Sequence, residues 1–216
     1  MGEATERILI SNDWITIILL IIIGLLIYNK TKHPVRFKSL QTLLYNNSYI
    51  NNYSKSTPLI LNAFNITFYF IFILIASLLL FVIINLNSLT PNNNESFIII
   101  LLYVFSFVII RSIIGVLLAF LFEKENEQQY FTFTKLSYLG NFCLLILPLL
   151  IINFYINSVY FSQFLIIIAV LLLLFYYFLQ IKNNQKIVFG KMFYFILYLC
   201  ALEISPFIII YKLIIK

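Results

Sequence analysis

Long apolar runs alternate with short polar breaks along this chain, and the runs have helical length. A hydrocarbon core about 30 Å thick is crossed by roughly 20 mostly apolar residues in α-helix. Six segments meet or approach that length, at about 13–28, 59–86, 97–122, 138–156, 159–181 and 188–215. They are continuously apolar instead of alternating, so they predict helices and not the strands of a barrel. Trp14 and Tyr28 sit at the ends of the first run, where aromatic side chains anchor a helix at the interface. The breaks agree with this division. Asn85-Leu-Asn-Ser-Leu-Thr-Pro-Asn-Asn-Asn-Glu-Ser is a turn-forming loop without a basic residue. Asn153 to Ser158 leaves room only for a tight connection, which makes the fourth and fifth segments antiparallel neighbours. The longest polar stretch, about 29–58, is too short for a core of its own. Within it Phe37, Leu40 and Leu44 recur at helical spacing beside Arg36 and Lys38. This predicts a short amphipathic helix over about 36–46 lying on the inner leaflet, where an anchor for its loop is weighed ahead of a docking surface. The stretch holding Glu123, Glu125 and Glu127 reads as solvated loop. The expected fold is all-α, a single polytopic membrane domain over 1–216 with six transmembrane helices.

Composition strengthens this reading. Of the 216 residues 62% are hydrophobic and 10% charged, against roughly 25% charged in a soluble domain. Such a chain cannot coat a globular surface with polar groups, so the lipid bilayer is its solvent. Ile, Phe, Tyr, Asn and Lys are abundant together, which resembles a genome-wide bias. Individual Asn and Tyr residues are therefore discounted as functional signals.

The net charge of +6 would suggest nucleic acid in a soluble protein, but here its distribution decides. Lys30, Lys32, Arg36, Lys38 and Lys55 follow the first segment, Lys124 and Lys135 the third, and Lys182, Lys186 and Lys191 the fifth. The opposite side carries only Arg7, Lys212 and Lys216. By the positive-inside rule the basic loops are cytoplasmic and both termini face outward, and no nucleic-acid partner is expected. Before Trp14, Glu3, Glu6 and Asp13 outnumber Arg7, and no small-residue cleavage site follows, so the first segment reads as a retained anchor. Cys143 and Cys200 lie in apolar runs, and with the single His33 they make no zinc cluster. No metal or cofactor is expected.

One charge stands inside a span. Arg111, in Ile109-Ile-Arg-Ser-Ile-Ile114, lies near the middle of an otherwise uncharged run, and an arginine in hydrocarbon must have its cost offset. The sixth segment offers Glu203, with Pro206 three residues on, and both charges fall within about two turns of the midplane. An ion pair would neutralise both. Ser112, Gly115 and Ala119 beside Arg111 would let another helix approach closely. Pro206 frees the carbonyl of Leu202, and Pro148 that of Leu144. A structural pair locking two helices in register is weighed ahead of a transport or partner-binding site. Asn62 and Asn65, one turn apart, and Asn141 lie near inner helix ends, where interhelical hydrogen bonds are weighed ahead of a cytoplasm-facing cavity.

Two blocks carry a resemblance. One is Tyr198-Leu-Cys-Ala-Leu-Glu203-Ile-Ser-Pro206 continuing to Tyr211-Lys212; the other is Tyr130-Phe-Thr-Phe-Thr-Lys-Leu-Ser-Tyr-Leu-Gly140-Asn running into Leu147-Pro148. With Asn-Asp-Trp14 and the basic Pro34-x-Arg36-Phe loop, they resemble the uncharacterised polytopic inner-membrane proteins of Bacteroidota known as domain of unknown function 4271. The resemblance implies an inner membrane facing a periplasm and draws interest to Glu203. It implies no substrate.

No phosphate-binding glycine loop, H-E-x-x-H or aspartate-rich motif appears, and no nucleophile has a histidine beside it inside the membrane. The expected function is a non-enzymatic inner-membrane component of envelope assembly or secretion that binds other membrane proteins. A small-solute or proton-coupled transporter using Arg111 and Glu203 is the alternative, and a lipid-modifying enzyme ranks third.

Overall fold

The computed structural model describes residues 13–46, 48–54, 62–87, 94–123, 125–156 and 158–183, and it is helical with no strand among them. In chain order the helices are α1 (Asp13–Lys32), α2 (Pro34–Gln41), α3 (Ser48–Tyr53), α4 (Ala63–Asn87), α5 (Asn94–Leu121), α6 (Glu125–Ile156) and α7 (Val159–Asn183). A short 3-10 turn, Thr42–Leu44, follows α2. By length and composition α1, α4, α5, α6 and α7 are able to cross a membrane, which makes this an integral membrane protein with five such helices among the described residues. The sixth expected segment, 188–215, lies outside the described residues.

Local chemistry sets several helix ends. Asp13 opens α1 and Lys30 and Lys32 close it, each sign complementing the helix dipole. Pro34 starts α2, where its missing N–H costs nothing. The side chain of Asn62 accepts from the backbone N–H of Phe64 at 3.5 Å and caps α4. Glu123 takes a left-handed conformation, φ 52°, that ends α5 and turns the chain into α6.

The helix α6 is longer than expected, beginning at Glu125 instead of near Tyr138. The stretch read as solvated loop is largely its first turns, with Glu125 and Glu127 placed at the positive end of the helix dipole. Its 32 residues rise about 48 Å at 1.5 Å each, well beyond a hydrocarbon core of about 30 Å. Asn153, expected in the connection to α7, is instead buried inside α6 and accepts a hydrogen bond from Ser162 of α7 at 2.8 Å.

Helices α4 and α6 are the central pair, with 44% of an 18-residue apolar stretch of each buried against 17% for α5 and 22% for α7. Ile71, Ile75, Leu78, Ile146 and Leu150 are sealed between them and their neighbours. Gly140 lets this packing close up, since a Cβ there would stand 3.2 Å from Phe68 and 3.4 Å from Leu40. At the opposite end Trp14 packs on Phe81 and Phe97, with ring centroids 5.2 and 5.0 Å away.

The apolar stripe of the α2 segment faces the protein interior. Phe37, Leu40 and Leu43 are buried in the same core cluster as Phe68 and Phe142. The physical reason is that the apolar stripe finds more partners on the extended α6 and the start of α4 than a leaflet offers a single short helix.

Candidate functional site

Most of the buried polar side chains among the described residues gather at the end where α1 finishes and α4 begins. Arg36, Leu40 and Leu43 are spaced i, i+4 and i+7, so the turn that docks the leucines carries the arginine inward with them. Arg36 is only 7% exposed. Its Nε donates to the hydroxyl of Tyr49 at 3.2 Å and its Nη2 to Oδ1 of Asn65 at 3.3 Å. The guanidinium carbon lies 4.9 Å from the ring centroids of both Tyr53 and Phe64 and 5.8 Å from that of Tyr49. Aromatic faces and neutral acceptors thus hold the cation. Tyr49 in turn stacks on Phe133 of α6, 5.8 Å between centroids. Burial pushes the Tyr49 phenol above its ordinary range, and the charge and hydrogen bond of Arg36 draw it part of the way back. A tyrosine in that state is protonated at neutral pH and serves as no general base.

A second knot centres on Asn141. Its Nδ2 donates to the carbonyls of Leu40 and Gln41 at 2.7 and 3.3 Å, satisfying groups that the end of α2 leaves open. Its Oδ1 accepts from the hydroxyl of Tyr176 at 2.5 Å. One side chain therefore ties the α2 segment, α6 and α7 together. Around it Asn183 donates to the hydroxyl of Tyr138, and Lys135 lies buried with its ammonium 5.4 Å from the Tyr177 ring centroid. Thr67 of α4 donates to Oδ1 of Asn29 at 2.7 Å and joins α1 to the same end.

The residues singled out from the sequence fall in three places. Asn65 and Asn141 enter these interhelical bonds, whereas Asn62 is a helix cap. Ser112 stands with its Oγ 2.7 Å from the Tyr69 hydroxyl, so the helix that approaches α5 there is α4. Arg111 is half-buried on α5. Glu203 and Pro206 lie outside the described residues, and so does Cys200. In the sequence Arg36 reads as a topology charge beside the amphipathic helix and as part of the Pro34-x-Arg36-Phe block, and Tyr49 and Tyr176 read as compositional bias. The signal for Arg36 was its spacing to Leu40 and Leu43.

Chemically the arrangement is a fixed cation among neutral donors, acceptors and rings. Among the described residues no three His, Cys, Asp or Glu side chains come together as metal ligands would. Its capacity is to hold backbone segments and to offer a positive group.

No curated protein and no solved structure matches the chain. A family model described as Domain of unknown function (DUF4271) matches residues 15–214, nearly the whole sequence. This helical membrane protein belongs to the DUF4271 family.

Proposed function

We propose that the protein is a non-enzymatic component of the inner membrane, with both termini in the periplasm, that binds other membrane proteins in envelope assembly or secretion. The observation that carries this reading is the Asn141 knot. Its three bonds join the first loop to α6 and α7, so the chemistry at this end serves to fix a shape. A fixed shape suits recognition, which is weakened when groups must be ordered on binding. The outward apolar side of α5, including Tyr103 at 74% and Phe120 at 71% exposed, gives such a platform a broad face within the membrane. The loop charges support the orientation.

Pairing of Arg111 with Glu203 belongs to the same proposal. Arg111 lies midway along a span and half out of the protein interior, where a counter-charge offsets its cost in hydrocarbon.

Purification of the full chain in a mild detergent tests the function. Discrete protein partners retained through two columns, and lost from a control membrane protein, are the expected result. A lone protein whose thermal stability rises with one small solute would overturn this reading in favour of transport.

A further inference from the structure

We propose that Arg36 binds the phosphate of an anionic membrane lipid at the bilayer boundary. The cation is 7% exposed, and its hydrogen-bond acceptors, Tyr49 and Asn65, are neutral. No carboxylate among the described residues pairs with it. A desolvated cation is costly without a counter-charge, and a phosphodiester offers one through oxygens that accept hydrogen bonds from a guanidinium.

The Nη1 edge is left for it: Nε and Nη2 are engaged by Tyr49 and Asn65, while Nη1 donates to no described residue. The rings of Tyr53 and Phe64 hold the guanidinium in a fixed orientation beside that edge.

Depth selects a lipid as the source. The 20 residues of α1 rise about 30 Å, the thickness of the hydrocarbon core. Lys32 ends that helix, and Arg36 follows within about one turn. That is the level of the headgroups. Lys32 and Lys38 are exposed nearby in the chain and draw anionic lipid toward the surface. Val35, next to Arg36, is 74% exposed and offers apolar contact to an acyl chain that free phosphate would not use.

The test uses the full chain in a non-ionic detergent, with thermal unfolding followed as phosphatidylglycerol, phosphatidylcholine or inorganic phosphate is added. Phosphatidylglycerol should raise the midpoint saturably, and the other two should do so far less. Arg36→Gln should weaken phosphatidylglycerol binding about tenfold by native mass spectrometry. The double variant Lys32→Gln with Lys38→Gln should keep the saturable response, which separates Arg36 from general surface charge even where Arg36→Gln fails to fold. Equal responses to the two lipids, or loss of the response in the lysine double variant, would overturn the proposal. A shift reproduced by inorganic phosphate alone would overturn the assignment to a lipid headgroup.

Discussion

A single amide, that of Asn141 on α6, bonds to both the α2 segment and α7. Asn141→Leu would keep the volume and strand two carbonyls of α2 and the hydroxyl of Tyr176. Each buried polar group left unpaired costs about 1–3 kcal/mol. The variant should therefore unfold markedly earlier than the parent in detergent, while Tyr176→Phe, which removes only one of these bonds, should cost about 1 kcal/mol. Equal midpoints for Asn141→Leu and the parent would show the knot to be energetically idle. Arg111 poses the complementary case. If Glu203 neutralises it, Arg111→Ala and Glu203→Ala should each lower the folded yield, on a scale of about 3–5 kcal/mol for soluble buried pairs. The double apolar variant should recover much of it. Recovery of fold with loss of activity in the cell assigns the pair a functional role, whereas normal folding of the single variants removes the pairing. Interhelical bonding by Asn65 and Asn141 was the expectation, because polar amides at helix ends are expensive unless bonded. It concealed Tyr49 and Tyr176, since a tyrosine in a tyrosine-rich chain carries no mark of the partner its hydroxyl meets.

Among the elements, α6 departs furthest from its apolar pattern. Its first turns are polar in sequence yet bury Gln128, Thr134, Lys135 and Ser137 against protein, so hydropathy ends the helix well before the backbone does. The α2 segment was legible as an amphipathic helix, but not the surface it covers. An apolar stripe at helical spacing suits a leaflet and a helix groove alike, and the choice is made by long-range contacts with Phe68 and Phe142. Gly140 sits where α2, α4 and α6 meet, which gives the docking a direct test. Gly140→Val would drive its added atoms into Phe68 and Leu40 and should destabilise the fold by about 1–3 kcal/mol, the usual cost of overpacking. Gly24→Ala in α1 meets nothing within 4 Å and should leave the unfolding midpoint nearly unchanged. A harmless Gly140→Val would mean that the α2 segment does not rest on α6.

For the molecule as a whole, the apolar runs made the long membrane helices readable, because bilayer thickness acts on sequence directly. Orientation follows as a prediction. Single cysteines at Asn93 and at the carboxy terminus, placed in a background with Cys143 and Cys200 replaced, should react with an impermeant thiol reagent added to cells with a permeable outer membrane. Cysteines at Lys38 and Asn184 should be protected. Labelling at Lys38 from outside would reverse the orientation. Partner identity was not readable, since an apolar face toward lipid and one toward another protein share a composition. The most direct test of the partner-binding reading is in-cell photocrosslinking along α5, with a photoreactive residue in turn at the outward Tyr103 and Phe120 and at the inward Val104 and Val108. Discrete adducts of protein mass from the outward positions, and none from the inward pair, are the predicted result. Lipid-only adducts at every outward position would contradict it.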